Sequence, residues 1–248
     1  MKNNFSWQKW GVLTLAFALF IFFGWTLNLQ HSVGYPGYKG KLTNADDFDS
    51  FSRAVVTDAV DSQLEHRQLT SFMLIEGQPY YSQFGMQQDM LLGLSQVGVT
   101  RPALYGVFKH LLRGASSLVI AAFFAWGAVR FGILSGCILS LTMALSDWPL
   151  MFSGHLYWVM FLLWLPFVLP WVLLQLLGLN RRSIIWICAI HLLLVYVRCL
   201  CGYEYLTCLV MAPLPAMVFF ASCSKVPLIH VRASVSYTHL TLPTKRIV

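Results

Sequence analysis

The chain has 248 residues, of which 57% are hydrophobic and only 11% are charged, and its mean hydropathy is +0.64. A soluble domain usually carries about 25% charged residues, so a chain this poor in charge could not cover a water-facing surface. The net charge of +7 does not indicate nucleic acid, because the bases are scattered between apolar runs without a basic stripe or an aromatic platform. Composition therefore favours a membrane protein.

Six apolar runs predict transmembrane helices, since about 20 apolar residues cross the roughly 30 Å hydrocarbon core of a bilayer. The first run, 10–29, follows a short tail, 1–9, and no small-x-small cleavage site comes promptly after it. An uncleaved anchor is therefore favoured over a signal peptide. The other predicted spans are 111–129, 132–145, 156–177, 184–197 and 206–223. The predicted fold class is an all-α membrane protein with about six transmembrane helices.

A long polar segment, 30–110, separates the first two predicted spans and holds eight of the ten acidic residues. Within it, apolar residues recur at helical spacing among the acids, and Asn44 could cap the start of that helix. The apolar positions are Phe48, Phe51, Val55, Ala59 and Leu64. This pattern predicts an amphipathic helix that lies on the membrane surface within a long outer loop.

The distribution of basic residues predicts the orientation of the chain. With a cytoplasmic N-terminus, the inner segments carry seven bases and no acid, whereas the short outer loops carry one base, Arg198; the long loop is exempt from the rule. The inner bases are Lys2, Lys9, Arg130, Arg181, Arg182, Lys225 and Arg232. Every acid then faces the outer compartment, as expected for a multi-pass protein of the inner (plasma) membrane.

The last residues, 236–248, break the composition of what precedes them and resemble a translated sequencing-adapter read-through. They are excluded from reasoning about the fold, as a fusion scar would be. The natural protein is then expected to continue beyond about Ala233, which makes this chain an N-terminal fragment.

Two polar clusters lie in the outer loop. Asp46, Asp47 and Asp49 could share a cation or supply a general base, although they could equally form the solvated start of an acid-rich helix. The second cluster offers hydrogen-bond donors and stacking faces suited to a sugar or a head group, and its alternative is an aromatic interfacial anchor. Its residues are Tyr80, Tyr81, Gln83 and Gln87.

Two further clusters lie in the short outer loops. Asp147 and His155 stand among aromatic residues at one predicted interface, where the aromatics alone are typical of a membrane belt. Arg198 could hold a phosphate by its fork of donors, or it could simply pair with Glu204.

Together these features resemble the polytopic membrane glycosyltransferases with the GT-C architecture. The acidic stretch Asp46-Asp47-Phe48-Asp49 stands where that family has its first-loop acidic motif. The stretch from Tyr80 to Gln87 looks like a Tyr-x-Ser-Gln-x-Gly-Leu-Gln sequence of uncharacterised bacterial members.

The resemblance implies sugar transfer from a polyprenyl-phosphate donor, a lipid-linked partner in the bilayer, at the outer face of the membrane. Asp46 or Asp47 would take the proton of the acceptor hydroxyl. Arg198 or Arg113 would stabilise the leaving phosphate, with His155 as a lesser candidate. Some relatives use a divalent metal, which Asp46, Asp47 and Asp49 could hold, but nothing in the sequence requires a cofactor.

Two other classes remain open. A transporter or flippase usually binds its substrate near the middle of the bilayer at broken helices, whereas the polar residues here gather at the outer interface. A non-enzymatic membrane protein would account for the spans but gives no reason for eight acids and a Tyr/Gln stretch in one loop.

Overall fold

The computed structural model describes residues 7–28, 55–61, 64, 73–75, 78–80 and 85–224. Helices dominate this part of the chain, which confirms the predicted all-α membrane fold. The helices are α1 (Trp7–Asn28), α2 (55–61), α3 (Met86–Gln96), α4 (Arg101–Phe131), α5 (Ile133–Ala144), α6 (Asp147–Ser153), α7 (Met160–Leu177), α8 (Arg181–Cys201), α9 (Leu206–Met211) and α10 (Pro213–Ser224).

One short antiparallel hairpin was not expected from the sequence. It pairs β1 (Met73–Ile75) with β2 (Gln78–Tyr80), with Leu74 opposite Pro79. The hairpin falls in the polar outer loop, so it leaves the helical character of the membrane part unchanged.

Within the described residues, five helical stretches are long and apolar enough to cross a membrane: Gln8–Leu27, Arg101–Phe131, Met160–Leu177, Arg181–Cys201 and Leu206–Cys223. Large apolar side chains are exposed along them, for example Leu15, Phe23 and Leu193, each more than half exposed. Helices that are apolar on their exposed faces need lipid as their solvent. The protein is therefore a multi-pass helical membrane protein.

Helix α5 is the exception among the predicted spans. It has 12 residues, which gives a length of about 18 Å, less than the roughly 30 Å of hydrocarbon. It follows α4 directly, and Gly132 makes the bend between them with a φ of 101° that favours glycine. Five long helical stretches, the last of them formed by α9 and α10, and one short apolar helix thus stand where six spans were predicted.

Helix α4 is longer than its predicted span of 111–129. It begins at Arg101, with Thr100 as its N-cap and Pro102 in its first turn, where proline's fixed φ and missing N–H are tolerated. Its 31 residues extend about 46 Å, more than the hydrocarbon thickness. The first turns therefore carry the helix beyond the apolar stretch, into the segment that the sequence assigned to the outer loop.

The described residues form two compact units. The first contains the chain up to Phe161 together with Leu200–Gly202. In this unit α1, α4 and α5 pack closely through small residues, as membrane helices often do. A Cβ on Gly136 would stand 2.7 Å from Cβ of Ala128, and one on Gly24 would stand 2.9 Å from Cβ of Ala144.

Helix α2 confirms that part of the predicted amphipathic helix exists. Val55 and Ala59, two of its predicted apolar positions, are buried, whereas Asp58 is exposed. Polar contacts tie it to the start of α4: the Tyr105 hydroxyl donates to Oδ1 of Asp61 at 3.0 Å, and Arg101 forms an ion pair with the same oxygen at 3.0 Å. The cap residue Asn44 and the positions Phe48 and Phe51 lie outside the described residues.

The second unit contains Leu162–Cys199 and the chain from Tyr203 onward. Two of its helices contain prolines at notable positions: α7 contains Pro166 and Pro170, and α10 begins at Pro213, two residues after α9 ends at Met211. Pro213 has no N–H, so the carbonyl four residues earlier, on Leu209, loses its usual helical donor and accepts instead from the backbone N–H of Ala212 at 3.1 Å. The buried imidazole of His191 on α8 faces the carbonyls of Leu209 and Val210, although neither ring nitrogen reaches ordinary hydrogen-bond geometry.

Candidate functional site

The last residue of α6 and the connection from it to α7, together called the 153–159 loop, are largely buried in the first unit. His155 and Leu156 are each 1% exposed and Val159 is fully buried. Connections normally run over the surface, because buried backbone groups need hydrogen-bond partners. Here side chains supply some of them: the Ser116 hydroxyl on α4 lies 3.4 Å from the carbonyl of Ser153. A buried loop fixed by side chains is a rigid platform for a site.

Arg113 on α4 packs against this loop and is 8% exposed. The contact requires glycine at position 154, because a Cβ there would stand 2.7 Å from Nε and 3.3 Å from Cγ of Arg113. A buried guanidinium is costly unless it is paired or hydrogen-bonded, so its position is set by its neighbours. The close approach of Gly154 places the charged end of Arg113 directly against the backbone of the loop.

His155 follows Gly154 and is oriented by the loop itself. Its Nδ1 accepts a hydrogen bond from the backbone N–H of Tyr157 at 3.3 Å. A nitrogen that accepts carries no proton, so a neutral His155 holds its proton on Nε2. The ring of Phe152 lies 6.4 Å away, centroid to centroid. The side chain therefore presents Nε2 as the atom able to donate a hydrogen bond.

Gln87 connects the start of α3 to two distant segments. Its side chain is fully buried, and Nε2 donates to the carbonyl of Tyr157 at 2.9 Å and to that of Cys201 at 2.7 Å. Helix α3 starts after Gly85, whose φ of 74° is the left-handed conformation that glycine adopts readily. The amide of Gln87 thus joins three segments of the first unit.

Asp89 lies two residues further along α3. Partial burial raises the pKa of its carboxyl above the usual value of 3.8.

The loop ends in a strained residue. Val159 has a φ of 44°, and a positive φ is a genuine outlier for a β-branched side chain. Such a conformation costs on the order of 1–3 kcal/mol and persists only where the surroundings fix it. The contacts from Gln87 and Ser116 are the kind of restraint that can do so.

In the second unit, Arg198 and Glu204 form the pair that the sequence left as one of two alternatives. Nη2 of Arg198 lies 3.5 Å from Oε2 of Glu204; the arginine side chain is fully buried and the glutamate is one-third exposed. The ion pair bridges the turn between α8 and α9. This supports the structural interpretation of Arg198, since its guanidinium is engaged by its own neighbour.

The structure brings together only part of the predicted site. Gln87, Arg113 and His155 meet at the 153–159 loop, whereas Tyr80 and Asp147 are described by their backbone alone, in β2 and at the start of α6. The remaining predicted residues, Asp46, Asp47, Asp49, Tyr81 and Gln83, lie outside the described residues.

Sequence reasoning gave no separate role to Gly154, Ser116 or Val159. The sequence feature that could have identified Gly154 is its position before His155, in a connection that is otherwise rich in aromatic residues. Within the described ranges, no group of three or more His, Cys, Asp or Glu side chains is placed to hold a metal ion.

The comparisons with known proteins add no relative. No family model, no curated protein and no solved structure matches the chain.

Proposed function

We propose that the protein is a membrane glycosyltransferase of the GT-C type, which moves a sugar from a polyprenyl-phosphate donor to an acceptor hydroxyl at the outer face of the membrane. The observation that carries this proposal is the Arg113 guanidinium, buried against Gly154, the residue that precedes the buried His155 in the chain. Arginine binds phosphate through a planar fork of N–H donors. Nε2 of His155 supplies a further donor in the same loop. A fixed cation with adjacent donors is suited to a phosphate leaving group.

The reaction exchanges one bond for another at the anomeric carbon. The acceptor oxygen bonds to that carbon, and its proton passes to a carboxylate, for which the resemblance offers Asp46 or Asp47. The bond from the anomeric carbon to the phosphate oxygen breaks, and the electron pair leaves with the lipid phosphate. Arg113 stabilises the charge that develops there, and the buried setting strengthens that interaction.

The proposal includes the orientation of the chain. The protein lies in the inner membrane of the cell with its N-terminus in the cytoplasm. The excess of bases in the segments assigned inside supports it. Arg181 and Arg182 are exposed at the start of α8, after the turn at Gly178. Reporter fusions test the orientation. A fusion after Leu179 should be active only in the cytoplasm, and one after Tyr203 only outside; the reverse pattern would invert the topology.

Sugar transfer is tested in membranes that contain the whole chain, with a panel of polyprenyl-phosphate hexoses and pentoses as donors and the native membranes as the source of acceptor. Release of polyprenyl phosphate with incorporation of sugar supports the proposal. Arg113→Gln should lower transfer by about 100-fold, as expected when a developing charge loses its partner. The matched control is Arg130→Gln, the same change at the exposed far end of α4, which should retain transfer.

The general base is tested by separate variants. Asp46→Asn and Asp47→Asn remove one carboxylate each and preserve the size of the side chain. One of them should lower transfer by about 10²–10⁴-fold, the contribution expected of a general base. If neither change affects transfer, the assigned base is wrong.

A transporter or flippase is the second candidate, and one observation favours it. His191 is buried in α8 opposite the break between α9 and α10, and broken membrane helices are where transporters often bind substrate. Uptake or flipping of the polyprenyl-phosphate sugar by proteoliposomes, without any covalent product, would favour this function over sugar transfer.

A further inference from the structure

The side-chain NH₂ group of Gln87 donates hydrogen bonds to two segments that are far apart in the sequence. The carbonyl of Tyr157 is 70 residues away and that of Cys201 is 114 residues away. A primary amide has two N–H donors, so these two hydrogen bonds use both of them. The sequence suggested that Gln87 contacts substrate; the geometry instead directs its NH₂ group to the protein backbone.

The two acceptor carbonyls belong to segments whose backbone groups lack the usual partners of regular secondary structure. Tyr157 lies in the buried 153–159 loop, and Cys201 is the last residue of α8, where carbonyls lack their helical donors. Tyr157 is two residues from His155 and three from Gly154, which contacts Arg113. A shift of the Tyr157 carbonyl therefore moves both groups that the proposed function uses for the phosphate.

The 153–159 loop also needs a restraint because its last residue, Val159, is strained. Val159 holds a positive φ while fully buried, and it can relax only if the preceding peptide units rotate. The hydrogen bond from Gln87 fixes the carbonyl two residues before Val159. Removal of this donor would allow the strained valine to relax, and the relaxation would be transmitted to Gly154 and His155.

We propose that Gln87 is a positioning residue for sugar transfer: it clamps the 153–159 loop to the end of α8, and so holds Arg113 and His155 in register with the donor phosphate. This inference rests on the proposed function. The residue acts through the loop and does not touch the reacting atoms. It also links the outer segment of the chain, through α3, to the phosphate-binding groups.

The test compares Gln87→Met with Gln88→Met in the whole chain, reconstituted in lipid nanodiscs. Both changes replace a fully buried amide in the first turn of α3 by an apolar side chain of similar length. Successive side chains leave a helix about 100° apart, so the two amides point in different directions. The neighbour therefore controls for the general cost of losing a buried amide in this turn.

The kinetic readout is the split between kcat and KM for the polyprenyl-phosphate sugar that wild type transfers best. Gln87→Met should lower kcat by about 10- to 100-fold, the size expected from a displacement of about 1 Å, while KM changes less than about threefold. Gln88→Met should leave kcat within about threefold. Equal losses of kcat in the two variants, or losses that follow their thermal melting, would show a merely structural role.

A second readout does not depend on sugar transfer. Hydrogen exchange of backbone amides in the 153–159 loop should become faster in Gln87→Met and stay unchanged in Gln88→Met. Faster exchange without a change in kcat overturns the positioning role and leaves the proposed function standing. Unchanged exchange shows that the clamp does not hold the loop. If the wild-type protein transfers no sugar from any donor, the proposed function is wrong, and so is the positioning role that rests on it.

Discussion

Gly154 and Arg113 approach each other so closely that a Cβ on the glycine would stand 2.7 Å from Nε of the arginine. The contact joins the buried 153–159 loop to the middle of α4, and Arg113 has little room to move because it is 8% exposed. This approach is the reason that position 154 requires a residue without a side chain. It also makes the position of the guanidinium sensitive to the smallest possible substitution.

Gly154→Ala should displace the Arg113 guanidinium and lower sugar transfer by at least tenfold, because a misplacement of about 1 Å can cost about 100-fold in rate. The measurement is release of polyprenyl phosphate at saturating donor. The matched control is Gly114→Ala, one residue after Arg113, where a Cβ meets no atom within 4 Å. Alanine there favours the helix, by up to about 1 kcal/mol. Loss of transfer in Gly114→Ala as large as in Gly154→Ala would contradict the explanation.

Composition and hydropathy were enough to predict the membrane fold, because the cost of exposing apolar helices to water depends on residue type alone. The lengths of the spans were harder to predict. The 132–145 segment is as apolar as a span, yet α5 ends after 12 residues. Helix α4 extends ten residues beyond the predicted start of its span, because a polar helix outside the bilayer has no hydropathy signal.

The close packing of α5 against α4 and α1 predicts a sharp effect at Gly136. A Cβ there would stand 2.7 Å from Cβ of Ala128, 3.0 Å from Cζ of Phe17 and 3.1 Å from the carbonyl oxygen of Phe124. Gly136→Ala should therefore lower the free energy of unfolding by about 1–3 kcal/mol, the usual cost of overpacking. Thermal unfolding in mild detergent measures it.

Two comparisons isolate this contact. Gly127→Ala, where the nearest atom to a new Cβ is Cδ1 of Leu139 at 3.6 Å, should be tolerated. Ala128→Gly combined with Gly136→Ala removes the 2.7 Å contact and should restore part of the lost stability. If the double variant melts no higher than Gly136→Ala alone, the Ala128 contact is not what destabilises the protein.

The polar contacts of α2 predict only a small effect. Asp61 and Arg101 form an ion pair with side chains 41% and 50% exposed, and exposed pairs of this kind contribute about 0.2–1 kcal/mol. Asp61→Asn should therefore leave the melting temperature almost unchanged but increase proteolysis between α2 and α4, since Arg101 loses its ion-pair partner, whereas the amide oxygen of asparagine can still accept from Tyr105. Asp58→Asn is the control, because that carboxylate contacts Thr57 of its own helix. Equal proteolysis in both variants would argue against docking through Asp61.

The candidate site was only half predictable from the sequence. Residue types identified His155 and Gln87 as polar groups near an apolar span, since such groups are costly in a bilayer, and Arg113 was named only through the resemblance to the GT-C enzymes. Their meeting at one loop, and the use of the Gln87 amide by two backbone carbonyls, depend on contacts between residues 70 and 114 positions apart. No local pattern encodes such distances.

The break between α9 and α10 yields the last prediction. Pro213 removes the usual helical donor of the Leu209 carbonyl, which accepts instead from the backbone N–H of Ala212 at 3.1 Å, and His191 lies opposite this carbonyl and that of Val210 without ordinary hydrogen-bond geometry. Because this contact is long, His191→Leu should lower stability by only about 0.6 kcal/mol, the average for polar contacts between membrane helices, whereas His191→Gln keeps an N–H donor and should lose less. Thermal unfolding in lipid nanodiscs distinguishes them, with Leu193→Ala, at a side chain 59% exposed, as a control that should not change. If leucine is tolerated as well as glutamine, the imidazole is not needed to satisfy the broken helix, and its burial would point to the transport function instead.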